Sequence, residues 1–135
     1  YPPLLADQGL QTALEAQARK VPVPVEVRGE GVARYPQEIE AAIYFCCLEA
    51  LQNVVKHAGA GEVTIELSAG DSALAFSVTD DGTGFDRSAT TAGSGLQNMV
   101  DRVEALDGSL QVTSSIGAGT TVGGTVPVTV LEPVA

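Results

Sequence analysis

Three short boxes stand in one order along this chain, and they restrict its possible folds more than any other feature. Glu49-Ala50-Leu51-Gln52-Asn53 sets a carboxylate and an amide one helical turn apart. Asp80-Asp81-Gly82-Thr83-Gly84 places carboxylates where an alternating stretch stops, with two glycines directly after them. Gly93-Ser94-Gly95-Leu96 opens an amphipathic stretch. The first box needs a helix wall, the second a strand end, and the third a hinged helix start. Only a fold that mixes helices with a sheet can bring all three to one place.

The rest of the chain supplies such a fold. Leu10, Ala13/Leu14 and Ala16/Gln17 repeat at helical spacing between Asp7 and Arg19. Val21-Pro22-Val23-Pro24 ends that helix, and Val25-Glu26-Val27 alternates as a short strand whose prolines place its start at an edge or in an irregular segment. Pro36 marks a second helix N-terminus, with Glu38 and Glu40 in the first turn where the helix dipole favours acid. That helix runs to about Ala58 and stops at Gly59-Ala60-Gly61. Residues 63–67 and 74–78 alternate as two strands around the turn Ala69-Gly70-Asp71-Ser72. Residues 85–95 carry no period and read as a loop; Leu96, Met99/Val100, Val103 and Leu106 then form a third helix closed by Asp107-Gly108. Two last strands, 109–114 and 120–128, flank Ile116-Gly117-Ala118-Gly119. The order α-β-α-β-β-α-β-β predicts a two-layer α/β (α+β) sandwich, a mixed sheet backed by three helices, in one domain over residues 1–135.

Charge and composition narrow the function. A formal net charge of −10 argues against a nucleic-acid binder, which needs a clustered basic face. No apolar run approaches the roughly 18 residues of a membrane span, so no membrane contact is expected of this domain. Cys46 and Cys47 are neighbours in the second helix and point about 100° apart, which disfavours a disulfide between them. They read as reduced thiols used as small apolar residues, as in a cytoplasmic protein. The only methionine is Met99 and the chain opens on Tyr1-Pro2-Pro3, so it reads as a piece of something longer.

The chemistry sits on the polar faces. Around the second helix, Ile43, Tyr44, Cys47, Leu48, Ala50, Leu51, Val54 and Val55 fill one arc, and Glu49, Gln52, Asn53, Lys56 and His57 fill the other. Glu49, Asn53 and His57 lie four apart, so in a regular helix they stack within reach of one ligand. A carboxylate, an amide oxygen and nitrogen donors suit a hydrated Mg²⁺ beside a phosphate chain. No second His or Cys stands at the spacing of a zinc site. A carboxylate at a strand end, followed by glycines that let backbone approach a flat ligand, can accept a hydrogen bond from an exocyclic amine and reject a carbonyl. This makes Asp80 the adenine reader, with Asp81 solvated or structural. Backbone amides at the start of the third helix suit phosphate. There is no Walker A Gly-Lys-Ser/Thr, and no strand leads directly into Gly93-x-Gly95, which excludes a Rossmann fingerprint.

These residues resemble the ATP-binding fold shared by gyrase, the heat-shock chaperone of the same class, histidine kinases and MutL (GHKL, or Bergerat, fold). Glu49 and Asn53 match its N box, Asp80-x-Gly82-x-Gly84 its first glycine box, and Gly93-x-Gly95-Leu96 its second. Asn53-Val54-Val55-Lys56-His57-Ala58, the stretch from Gly95 to Val103, and Gly117-Ala118-Gly119-Thr120 are similar to NarX/DesK-type sensor histidine kinases. The short segment between the glycine boxes resembles the short ATP lid of that subgroup, here residues 85–95. Tyr1 to Leu5, followed by Gly9-Leu10, resembles the junction after its dimerisation helices, so residues 1–6 are expected to be linker from a helical domain.

The resemblance implies ATP and Mg²⁺ as ligands. It implies that Asn53 holds Mg²⁺, that Asp80 binds the adenine amine, and that Lys56 and His57 reach the phosphates. Gly82, Gly84, Gly93, Gly95 and Leu96 would shape pocket and lid, Glu49 would orient the metal shell, and Thr120 would assist the adenine site through a water. The subgroup's phosphoacceptor His lies in an upstream dimerisation domain, whereas His57, the single histidine here, belongs to the N box. The expected partners are therefore that helical domain, in a homodimeric full-length protein, and a response regulator of LuxR/NarL type. Transfer of the γ-phosphoryl to a His and relay to a regulator Asp is the implied activity. Two other readings stay open: an anti-sigma-factor serine kinase on the same fold, and a non-catalytic nucleotide-binding module that docks through the Leu10/Leu14 stripe.

Overall fold

Alternation along the strands decides where the core lies. Val63, Ile65 and Leu67 in one strand and Leu74, Phe76 and Val78 in the next are buried, while their neighbours in sequence turn outward. In the computed structural model, which describes residues 2–30, 32–58, 61–70, 72–82, 94–114 and 116–128, these columns face a layer of helices. The strands are β1 (Val25–Glu30), β2 (Val63–Ala69), β3 (Ala73–Asp80), β4 (Ser109–Ser114) and β5 (Thr120–Pro127). They form one sheet in the order β1-β2-β3-β5-β4. β1 runs parallel to β2 and every other pair is antiparallel. The expected two-layer sandwich with a mixed sheet is thus the observed one, and the proline-led strand lies at its edge.

The first helix departs from expectation. It is two helices, α1 (Pro3–Gln8) and α2 (Leu10–Ala18), broken at Gly9 with φ +90. A left-handed φ costs a glycine little, and here it turns the chain without losing hydrogen bonds. The Gly9 N–H donates to the Leu5 carbonyl, and the Gly9 carbonyl accepts from Ala13. The Leu10/Leu14 stripe is no docking face: these residues are 2% and 1% exposed, because α2 lays them against β1 and α3 (Gln37–Asn53). Burying them stabilises the domain by about 2 kcal/mol each.

α3 starts where expected. Pro36 is extended, and its carbonyl accepts from Ile39 and Glu40. Its end differs. The regular helix stops at Asn53, and Val54–Ala58 winds on as a π-helical turn. Two adjacent β-branched residues fit a tight α-turn poorly, and the wider winding keeps Val54 in the core while leaving Val55 39% exposed. Val55 therefore leaves the apolar arc that regular helical spacing gives it.

α4 (Ser94–Glu104) ends in a Schellman arrangement: Gly108 donates to the Val103 carbonyl and Asp107 to that of Glu104. The left-handed residue is Asp107, φ 63, rather than the glycine after it. Glycine is needed at 108 instead because a β-carbon there would strike the Thr125 carbonyl oxygen. Among the described residues no helix is long and apolar enough to cross a membrane.

Candidate functional site

α3 and α4 pack antiparallel along a seam of three successive contacts. The Arg102 guanidinium lies 3.8 Å from the centre of the Phe45 ring. One turn on, Cys46 Sγ lies 3.8 Å from the Met99 carbonyl, to which it donates weakly. At the far end, a β-carbon placed on Gly95 would sit 2.9 Å from Glu49 Oε2. The seam therefore delivers the half-buried Glu49 carboxylate to the start of α4, where helix amides point. Asn53 follows Glu49 by one turn and is exposed on the last α-helical residue. Glu49 and Asn53 both lie within the regular part of α3, four residues apart, and His57 belongs to the π turn that follows.

The second cluster forms at the end of β3. Asp80 continues the inward column of Leu74, Phe76 and Val78, so its carboxylate points to the helix side and is only 6% exposed. Oδ1 accepts from the Gly82 amide at 2.8 Å. In register, Asp80 stands between Val63 of β2 and Thr120 of β5. The Thr120 hydroxyl pairs with that of Ser114 at 2.7 Å. Gly119, φ +75, passes so close that a β-carbon would collide with the Asp80 carbonyl oxygen. Asp81 turns away to the other side and accepts from the amides of Gly61 at 2.8 Å and Glu62 at 3.0 Å. Those amides of Glu62 and Gly61 hold its carboxyl below the ordinary aspartate range.

Val63, Asp80 and Thr120 mark one end of the sheet in register, and the turn carrying Lys56 precedes β2 in sequence. Lys56 is exposed, and Leu96 is partly buried against the core. Gly84, Gly93, the His57 side chain and residues 85–93 lie outside the described residues. Ser114 and the Gly119 contact carry no site assignment in the sequence, and of the two readings of Asp81, solvated or structural, the structure shows the structural one. The Gly117-x-Gly119 spacing was the available signal for a tight turn there, and the Asp80-Asp81 doublet for two carboxylates on opposite faces of one strand.

Both cysteines are free and buried. Burial pushes the Cys46 thiol up to about 12, with Arg102 opposing and Glu49 adding to the rise, and burial pushes Cys47 higher still. These are packing residues, as expected, and the low-pKa surroundings of a reactive thiol are absent from them.

Comparison with known proteins agrees with the geometry. The chain is 35% identical over 100 residues to the "Signal transduction histidine-protein kinase/phosphatase DegS" of Brevibacillus brevis, covering 73% of this chain and 26% of that protein. It is 32% identical to the "Sensor histidine kinase MctS" of Rhizobium johnstonii, covering 98% of this chain and 31% of that one. The chain thus spans about a quarter to a third of the length of these relatives. Among solved structures, the blue-light activated histidine kinase of Erythrobacter litoralis EL346 superposes with a TM-score of 0.75 at 25% identity, over 87% of this chain and 41% of that one. The fold is that of histidine kinase ATP-binding domains. A profile of the histidine kinase-, DNA gyrase B- and HSP90-like ATPases matches residues 38–130, and the chain belongs to that family.

Proposed function

We propose that this chain is the catalytic domain of a sensor histidine kinase: it binds Mg-ATP and presents the γ-phosphoryl to a His on a separate helical dimerisation domain, for relay to a response-regulator Asp. The observation that carries the reading is the Asp80 carboxylate. It is buried at a strand end, turned to the helix side and fixed through one oxygen by the Gly82 amide. Its other oxygen is the one this reading gives to the adenine amine, a contact that guanine, with a carbonyl there, cannot make. Similarity to sensor kinases over most of the chain supports the acceptor being His rather than Ser. The likeness of residues 53–58 and 95–103 to NarX/DesK-type sensor kinases supports a LuxR/NarL-type regulator.

The residues present fit a magnesium ion. Glu49 and Asn53 offer two oxygen donors one helical turn apart. Such a set suits an ion that keeps most of its waters and shares the phosphates. Asn53 would hold it and Glu49 would orient its shell; the ion supplies charge neutralisation at the phosphate chain. Lys56 would add a second positive charge, with His57 beside it in sequence, and the first amides of α4 at Gly95 would receive the phosphates. Catalysis rests on positioning: the β–γ phosphoanhydride bond breaks, a bond from phosphorus to the acceptor nitrogen forms, and ADP leaves.

Calorimetric titration of the chain with ATP, with and without Mg²⁺, tests the reading. Binding by the parent and a ten- to hundredfold loss in Asp80→Asn, about the weight of one charge-assisted hydrogen bond, is expected. With a helical acceptor domain added, Asn53→Ala should abolish Mg-dependent transfer. Retained transfer would overturn the assignment.

A further inference from the structure

We propose that Asp81 is a positioning residue for adenine recognition, its carboxylate tying the turn that carries Asp80 to the chain entering β2. The inference rests on the nucleotide reading of the site. An exposed aspartate after a strand is ordinarily solvated. Asp81 instead directs a single oxygen, Oδ1, at two consecutive amides, those of Gly61 and Glu62. These two N–H groups precede the ladder, whose first β1–β2 link at this end is Val63 donating to the Pro24 carbonyl at 3.0 Å. One oxygen that accepts from two consecutive amides fixes that segment by its position, and a neutral amide oxygen at the same place can accept from both.

The turn is thereby held at three points. Gly119 packs on the Asp80 carbonyl, the Gly82 amide holds Asp80 Oδ1, and Asp81 Oδ1 holds the neighbouring segment. That segment is the continuation of Val54–Ala58, which follows Asn53 and carries Lys56 and His57. Asp81 therefore joins the adenine end of the site to Gly61 and Glu62, the residues that lead into β2. Asp80 can discriminate an amine from a carbonyl only while its carboxylate is held in one orientation, so loosening the tether should cost selectivity as well as affinity.

Three variants separate geometry from charge. Asp81→Ala removes the acceptor. Asp81→Asn keeps an oxygen in place without the charge. Asp81→Glu keeps the charge but moves the oxygens by one methylene. Each is titrated with Mg-ATP and Mg-GTP at a temperature where a melt shows it folded.

Asp81→Ala and Asp81→Glu should bind ATP about tenfold more weakly and lose about tenfold in ATP-over-GTP preference, with Asp81→Asn close to the parent. If Asp81→Ala does not fold, the contrast between Asn and Glu gives the same decision. The proposal is overturned if Asp81→Glu matches the parent while Asp81→Asn is impaired, which would assign the effect to charge. It is equally overturned if the melting temperatures fall but affinity and preference stay unchanged in the folded variants. A parent chain that binds no ATP overturns the nucleotide reading itself, and this inference with it.

Discussion

Glu49 and Gly95 meet across α3 and α4 so closely that a single added carbon on the glycine would lie 2.9 Å from the carboxylate. This makes Gly95→Ala a probe that separates stability from function. Alanine inside a helix is favoured over glycine by up to about 1 kcal/mol, and the obstructing atom is the end of a flexible side chain. The melting temperature should hold or rise slightly. The Glu49 carboxylate, however, must move away from the start of α4, and misplacement of about 1 Å can cost a hundredfold in rate. Phosphotransfer to an added acceptor domain should fall by about ten- to a hundredfold. Parental transfer rates would remove the Glu49–Gly95 contact from the site.

Gly119→Ala should fail differently. Its φ of +75 already disfavours a β-carbon, and that carbon would collide with the Asp80 carbonyl oxygen, a backbone atom with no rotamer to yield. Left-handed strain of about 1–2 kcal/mol adds to overpacking of about 1–3 kcal/mol. Chemical denaturation should show a loss of about 2–5 kcal/mol. A loss under about 1 kcal/mol would mean that the β4–β5 turn can relax away from Asp80.

A third expectation concerns Glu40, which is 1% exposed and held by Arg34 in a two-point pair of 3.0 and 3.1 Å, with the Tyr35 amide at 3.2 Å. Arg34 also donates to the Leu5 and Ala6 carbonyls near the end of α1. Removing one partner of a buried pair leaves an uncompensated charge. Because the Arg34 side chain is 33% exposed, the cost should fall below the fully buried case, at about 2–3 kcal/mol for Arg34→Ala. Arg34→Lys should recover little, since an ammonium cannot reproduce the fork. Equal stability of the Lys and Arg forms, read from urea midpoints, would show that only the charge matters.

These residues also show where the sequence was readable. The strands follow from alternation, because burial on one face writes a period of two directly into the residues, while their order in the sheet is set by the fold. The Glu49–Asn53 pair was readable for the same reason at the helical period. Gly9 was not, since Leu10, Ala13 and Leu14 keep their spacing while the chain before them turns. The π turn was not, because Val54 and Val55 suit an apolar arc until the winding widens. Glu40 reads as a first-turn acid favoured by the helix dipole, and its burial depends on Arg34, whose approach is a tertiary event. Asp81 reads as solvated or structural, and the segment at Gly61, once placed beside it, decides for the second.

The adjacent thiols give a prediction in pH. Cys46 is shifted from an ordinary value of 9.0 up to about 12, chiefly because burial penalises the thiolate, and Cys47 is shifted upward for the same reason. A folded pKa above the unfolded one means that the unfolded chain gives up its thiol protons first as pH rises. The stabilising contribution is therefore complete below about pH 9 and is lost progressively as pH climbs from there through the folded value. Each thiol should steepen the fall by about 1.4 kcal/mol per pH unit where the unfolded form is ionised and the folded form is not. Urea denaturation at pH 7, 9, 10 and 10.5 measures this directly. In Cys46→Ala/Cys47→Ala the neutral-pH stability should drop through lost packing, and the alkaline slope should flatten. An unchanged slope in the double variant would mean that the thiols ionise without unfolding the α3–α4 seam.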